Sequence, residues 1–206
     1  MSEIKSQGLI FFVAGFETSS NTLGFVSYML ATHPEIQEKI LAEVDAMAPR
    51  REDVTYDNVT KMTYLDWTIS ETLRLYPPAA LTGREAEQDY QFQGYRIPKG
   101  TTVSFAVCCI HRDPELWDEP EKFDPERFSP ERRENRHPCA WMPFGMGPRN
   151  CIGMRFALVQ IKMALVRMLQ EFRFEKTAET KFPPELAKFT VVPEKGFMLK
   201  VSPRTK

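Results

Sequence analysis

The stretch PFGMGPRNCIG, residues 143–153, sets one cysteine among three glycines, two prolines and an arginine. Cys151 comes just before a helical pattern, and the free amides and dipole at a helix start stabilise a thiolate. Gly147 and Gly153 allow close backbone approach, so amides are expected to point at the sulfur. Arg149, two residues earlier, adds positive charge. A sulfur held in this way is a good metal ligand, and hydrogen bonds to it tune the metal's potential. The plain alternative is a helix N-terminus that carries a buried cysteine. Against it stands the full spacing Phe144-x-x-Gly147-x-Arg149-x-Cys151-x-Gly153, which is far more specific than a bare Gly-x-x-Cys-x-Gly.

Downstream, IGMRFALVQIKMALVRMLQEFRF (residues 152–174) reads as a helix, with Ile152, Phe156, Val159, Met163, Val166 and Leu169 on one stripe. The tail, with PEKGFMLKV at 193–201, reads as a closing hairpin. Upstream, residues 111–138 are rich in proline and charge and have little periodicity, which predicts a long ordered loop. Residues 79–109 carry β-branched and aromatic residues, with turn signals at Gly94 and Pro98-Lys99-Gly100, and predict short antiparallel strands. Residues 8–31 form a helix that is apolar all round, ending near His33 because residues before proline avoid the helical region. Pro34 suits the first turn of the next helix, PEIQEKILAEVDAM, which puts Ile36, Ile40, Leu41 and Val44 on one face. Two further helices lie within 55–76 and are stopped by Pro77 and Pro78. The expected fold class is mainly α with small antiparallel β-sheets (α+β).

Composition narrows the function. Charges of both signs are mixed along the chain and the net charge is −1, which disfavours nucleic-acid binding. Fifteen Phe and ten Met supply adaptable apolar contacts of the kind that surround bulky ligands. The cysteines Cys108, Cys109, Cys139 and Cys151 form no C-x-x-C pair, and there is no H-x-x-x-H, which argues against structural zinc. For 206 residues they also make a poor disulfide framework. At ~1.5 Å per residue, the helix over 8–31 approaches the thickness of a bilayer. Glu17 and Asn21 lie near its middle, and a charge at bilayer centre costs at least ~2.5 kcal/mol. A buried core helix is expected, and no transmembrane segment.

Three further stretches carry chemistry. In AGFETSS, residues 14–20, Thr18 can bond to the carbonyl one turn back and bend the helix; the alternative is a break with Ser19 or Ser20 as N-cap. In ETLR, Glu71 and Arg74 are three apart and can pair, for only ~0.2–0.5 kcal/mol on a surface. Arg84 and Arg149 could clamp carboxylates in a bidentate way. For Arg84 an exposed edge charge beside Glu85 and Glu87 is the simpler reading.

FGMGPRNCIG resembles the heme-binding signature of the cytochrome P450 superfamily, in which the cysteine thiolate is the proximal ligand of heme iron. The other stretches follow in that family's order: distal helix (Ala14, Gly15, Glu17, Thr18), Glu-x-x-Arg helix, Pro125-Glu126-Arg127-Phe128, then the cysteine loop. The resemblance covers essentially the whole chain and is closest to animal microsomal members, the group of drug- and steroid-oxidising enzymes and thromboxane synthase. It implies heme b (iron protoporphyrin IX) bound through Cys151, with Arg149, Arg84, Phe144, Gly147, Gly153 and Ala14 at the cofactor. It implies that Thr18 and Glu17 manage proton delivery, and that Glu71, Arg74 and Arg127 form a structural network fixing the cysteine loop. Ala79, Ala80, Thr82 and Phe197 would line the substrate pocket.

The implied activity is a monooxygenase that inserts oxygen from O2 into a lipophilic substrate, using NADPH electrons supplied by NADPH-cytochrome P450 reductase at the endoplasmic reticulum membrane. Because the chain begins almost at the distal helix, residues 1–206 are expected to be one incomplete heme-thiolate domain. This would be the C-terminal part of the fold, with no anchor of its own and inactive alone. Two rivals stay open: a heme-thiolate isomerase acting on a lipid endoperoxide, which would not need the Glu17–Thr18 pair, and a truncated heme-free product that is not an enzyme.

Overall fold

In the computed structural model, which describes residues 2–187 and 191–204, the apolar N-terminal run becomes helix α1 (Ser2–Thr32). It passes unbroken through AGFETSS. Hydroxyls there bond back one turn, Thr18 Oγ1 to the Ala14 carbonyl at 2.6 Å and Ser20 Oγ to that of Phe16 at 2.8 Å. A hydroxyl satisfied inside the helix does not cap a new one, so neither Ser19 nor Ser20 is an N-cap. Residues 2–18 are exposed, whereas residues 25–31 are buried. By length and composition α1 is apolar enough to cross a membrane, which qualifies the expectation of no such segment. The burial of its second half inside this protein's own core is what supports a core role.

Pro34 opens α2 (Pro34–Met47), and Ile36, Ile40, Leu41 and Val44 are buried as their spacing predicts. Gln37 is buried beside them because its amide is fully used. Its Nε2 donates to the Phe174 carbonyl at 2.9 Å, and its Oε1 accepts the Phe174 N–H at 2.8 Å. Thr55 caps α3 (Tyr56–Lys61). The next helix, α4 (Thr63–Leu75), is capped from α2: the Glu43 carboxylate accepts the N–H groups of Tyr64 and Leu65, both at 2.9 Å. An anion at the positive end of the helix stabilises this junction.

Strand β1 (Leu81–Glu85) pairs antiparallel with β4 (Thr102–Ala106), and between them β2 (Tyr90–Phe92) and β3 (Tyr95–Ile97) form a hairpin. Its turn uses Gln93 and Gly94, both with positive φ. The sheet ends sooner than the sequence suggests. Val107–Ile110 closes a helical turn, α5, in which the His111 N–H bonds to the Val107 carbonyl at 2.9 Å. Residues 111–138 are irregular but ordered, with a tight turn at Pro125–Phe128 and a short helix α6 (Pro130–Arg133). Helix α7 (Met154–Glu171) leads into β5 (Phe172–Lys176).

One expectation for the C-terminal part is corrected. On the predicted stripe of α7, Val166 and Leu169 are buried, but Ile152 is 87% and Phe156 75% exposed. The helix starts only at Met154, and its buried residues begin at Ile161. The tail folds back locally through an antiparallel bridge between Leu186 and Pro193, with the Ala187 N–H bonded to the Val192 carbonyl at 2.9 Å and the Glu194 N–H to the Glu185 carbonyl at 3.0 Å. Its last strand, β6 (Leu199–Pro203), pairs instead with β5, Phe174 opposite Val201.

The core gathers α1, α2, α4, α7 and β5. Phe25 stacks on Tyr76 at 4.3 Å and meets Phe197 edge-on at 4.9 Å. Gly24 makes room for this arrangement, since a Cβ there would lie 2.3 Å from Phe197 Cε2. Gly24→Ala should therefore lower the urea-denaturation stability by about 1–3 kcal/mol, the usual cost of overpacking. In a Phe197→Ala background the same change should cost under ~0.5 kcal/mol, and the double-mutant cycle measures the difference.

Candidate functional site

The cysteine loop is built by its own backbone. The Gly145 N–H bonds to the Met142 carbonyl at 3.0 Å, the Cys151 N–H to that of Phe144 at 2.8 Å, and the Asn150 N–H to that of Gly147 at 3.1 Å. Gly145 and Gly147 take φ of +70° and +75°, which only glycine adopts without strain. Phe144 packs against the core, while Cys151 is exposed, which removes the alternative of a buried structural cysteine. A Cβ on Gly153 would lie 3.9 Å from the Cys151 Sγ. The expectation of amides directed at the sulfur is not met as stated. The Cys151 amide is engaged by Phe144, and among the described residues no hydrogen bond reaches Sγ.

Beneath the loop lies a buried ionic network. Glu71 and Arg74 have fully buried side chains and pair fork to fork, Nε to Oε2 at 2.7 Å and Nη2 to Oε1 at 2.8 Å. This is no solvated surface pair. Arg74 Nη1 donates to the carbonyls of His111 at 2.8 Å and Pro120 at 2.7 Å, and Nη2 donates to that of Lys122 at 3.1 Å. Glu71 Oε1 also accepts the Asp124 N–H at 3.0 Å. Arg127 Nε sits 3.4 Å from Glu71 Oε1, an ion-pair distance without hydrogen-bond alignment, and its Nη2 donates to the Glu119 carbonyl at 2.9 Å. Burial pushes the Glu71 carboxyl up, and Arg74, the Asp124 amide and Arg127 pull it back. Outside this set, Arg136 lies 4.2 Å over the Trp117 ring, and burial lowers its guanidinium to about 10.

His111 has no solvent exposure and was not marked by any spacing in the sequence. Its Nε2 accepts the Met142 N–H at 2.9 Å, so that nitrogen carries no proton. Nδ1 is then protonated and donates to the Arg74 carbonyl at 3.1 Å. Burial lowers its pKa to about 4, and the nearby Arg74 and Arg112 charges act in the same direction. Trp141 adds a second tie, its Nε1 donating to the Ser70 carbonyl at 3.1 Å. Lys162 on α7 reaches Asp66 on α4 at 2.7 Å.

The other sequence-derived residues lie apart from this cluster. Ala14, Glu17 and Thr18 are on the exposed half of α1. Arg84 is exposed on β1, donating to the Gly83 carbonyl at 2.7 Å, and Arg149 is exposed in the loop. Among the described residues, no hydrogen bond or ion pair joins Glu17, Thr18, Arg84 or Arg149 to Cys151. Ala79 is exposed, and Ala80 and Thr82 are half-buried. A cavity of about 280 Å³ is lined by Tyr28, Lys181, Glu185, Phe197 and Met198 among others, so it includes Phe197 but not Ala79, Ala80 or Thr82. The donor set at the loop suits an iron porphyrin. An exposed soft thiol stands three residues before the start of α7 and two after Arg149, and nothing lies within 4 Å of a Cβ built on Gly147.

A model of the cytochrome P450 family matches residues 1–201. Cytochrome P450 3A29 of Sus scrofa is 48% identical over 203 residues, and cytochrome P450 3A9 of Rattus norvegicus is 49% identical over the same length. Cytochrome P450 3A6 of Oryctolagus cuniculus is 48% identical. In each case the match covers 98% of this chain and 40% of the relative, so the chain spans 40% of the length of these curated relatives.

Removing one charge from a buried pair leaves the other uncompensated, at a cost of about 3–5 kcal/mol. Glu71→Gln should lower the unfolding free energy by about that amount in denaturant titration. Lys39→Met, at the exposed Lys39–Glu126 pair, should change it by under ~1 kcal/mol.

Proposed function

The chain belongs to the cytochrome P450 family, and we propose that it supplies the thiolate side of a monooxygenase that inserts one oxygen atom from O2 into a C–H bond of a lipophilic substrate. One observation carries the reading: an exposed Cys151 on a glycine loop that hydrogen bonds tie back to the buried Glu71–Arg74–Arg127 network. When bound, heme b supplies the oxygen activation, with NADPH electrons delivered by NADPH-cytochrome P450 reductase at the endoplasmic reticulum membrane.

This chain's residues do the rest. Cys151 provides the sulfur ligand, from a loop position between Arg149 and the start of α7. Gly147 and Gly153 keep side chains away from the ligand face, and Phe144 anchors the loop in the core. Arg149 and Arg84 bind the two carboxylates of the cofactor. On α1, Ala14 leaves space, and the Thr18 hydroxyl hands on a proton that Glu17 replaces. The Thr18 proton is directed at the Ala14 carbonyl, so it must rotate away to act. Ala79, Ala80, Thr82 and Phe197 shape the substrate side. The Glu17–Thr18 pair favours oxygen activation over rearrangement of a lipid endoperoxide, which needs no proton relay. With Ile152, Phe156 and the first half of α1 exposed, residues 1–206 alone would hold heme weakly.

The test is spectroscopic. A protein carrying this chain should show a thiolate-type carbon monoxide shift of its Soret band, and Cys151→Ser should abolish it. Thr18→Ala should raise the peroxide released per substrate oxidised by roughly tenfold, less than the ~10²-fold lower end of general acid–base contributions because water can stand in for the hydroxyl. Unaffected substrate turnover in that variant would point to the isomerase. Stoichiometric heme with the thiolate signature on residues 1–206 alone would overturn the weak-binding claim.

A further inference from the structure

We propose that His111 is a positioning residue for the cysteine loop: as the neutral Nδ1–H tautomer it joins the Glu71–Arg74–Arg127 network to Met142, where the loop's internal hydrogen bonds begin. The effect on the metal ligand rests on the heme-thiolate reading, whereas the effect on the loop does not.

The connection can be followed atom by atom. Arg74 uses its side chain for Glu71 and its own carbonyl for His111 Nδ1, at 3.1 Å. His111 Nε2 takes the Met142 N–H at 2.9 Å. The Met142 carbonyl takes the Gly145 N–H at 3.0 Å, and the neighbouring Phe144 carbonyl takes the Cys151 N–H at 2.8 Å. The imidazole has no exposed surface and both of its nitrogens are engaged. A residue that merely filled space would not need one donor and one acceptor on opposite edges of the ring.

That arrangement works in only one protonation state. A proton on Nε2 would set N–H against the Met142 N–H and turn an attraction into a clash of two donors. It would also add positive charge beside Arg74 from α4 and Arg112 from the same segment, while the Glu71 carboxylate on α4 is already engaged by Arg74 and Arg127. The stretch bearing Met142 offers the ring a backbone amide. The sign follows. Burial holds the folded pKa at about 4, below the ordinary 6.5, so the contribution is complete above pH 6.5 and is lost as pH falls towards 4. Opening of the loop should then become roughly 50-fold more favourable between pH 7 and pH 4.5.

The experiment is amide hydrogen exchange at Met142 and Cys151, corrected for intrinsic rates, in the protein carrying this chain, with and without heme. In the wild type, protection at both amides should fall roughly 50-fold from pH 7 to pH 4.5. His111→Gln keeps an acceptor for Met142 and a donor for Arg74 but cannot titrate. It should retain protection at pH 7 within about threefold and lose the acid step. His111→Leu should cost at least about tenfold in protection at pH 7, while Trp141 still ties the segment to Ser70. Unchanged protection in the Leu variant, or an acid step of wild-type size in the Gln variant, would overturn the proposal. If the Leu variant does not fold, the pH profile of the Gln variant decides alone. The thiolate-type Soret band, recorded in parallel, separates the two readings. Its absence alongside the expected exchange pattern leaves the loop role standing and removes the heme assignment. A normal band alongside pH-independent exchange does the reverse.

Discussion

A carboxylate and a guanidinium with no access to water can coexist only if nearly every lone pair and N–H between them has a partner. The Glu71–Arg74 pair meets that demand by recruiting the carbonyls of His111, Pro120 and Lys122 and the amide of Asp124. The consequence runs from the pair to the chain around it. Residues 111–124 contain little regular structure, and their backbone groups have no helix or sheet ladder to join. They are ordered because a buried salt bridge needs them in place. Such a pair adds little net stability over an apolar replacement of the same shape, so its value is in specifying one arrangement of this loop.

From there the order spreads to the cysteine. Arg127 and Arg136 extend the network over Trp117 and Phe128, while Trp141 and His111 fasten the next segment to α4. The loop then needs only two left-handed glycines and a few backbone bonds to hold Cys151 at the surface. The two sides of the implied site are thus fixed by different means. The thiolate side is fixed by buried hydrogen bonds. Thr18 and Glu17 sit on a helix held only by its far half.

How much of this could be read beforehand depends on where the deciding forces lie. Pro34 and the pair Pro77–Pro78 mark helix limits through steric rules that act within a few residues, and the spacing of Ile36, Ile40, Leu41 and Val44 reports directly on one buried face. The glycines around Cys151 were legible only in part: Gly147 was marked and takes a positive φ, Gly153 was marked and does not, and Gly145 takes one without having been marked. Glu71 and Arg74 read as an ordinary helix pair, and only resemblance to a family raised them above that, since nothing local reveals that both are buried. The partner of β6, the helical turn at Val107–Ile110 and the exposure of Ile152 and Phe156 are decided by what lies across the fold. His111 shows the limit most clearly. One histidine among three, it is set apart only by two backbone groups that lie 37 and 31 residues away in the chain.

Helix α1 enters the core only in its second half, where Phe25 lies flat on Tyr76. Tyr76 is the C-cap of α4, two residues beyond Arg74. A helix of this length is roughly 45 Å long, yet only its second half is anchored, and there it meets the end of α4 through a flat aromatic contact. The residue on which Phe25 lies also closes the helix that carries Glu71 and Arg74, so a stacked pair lies between the apolar core and the buried ionic network.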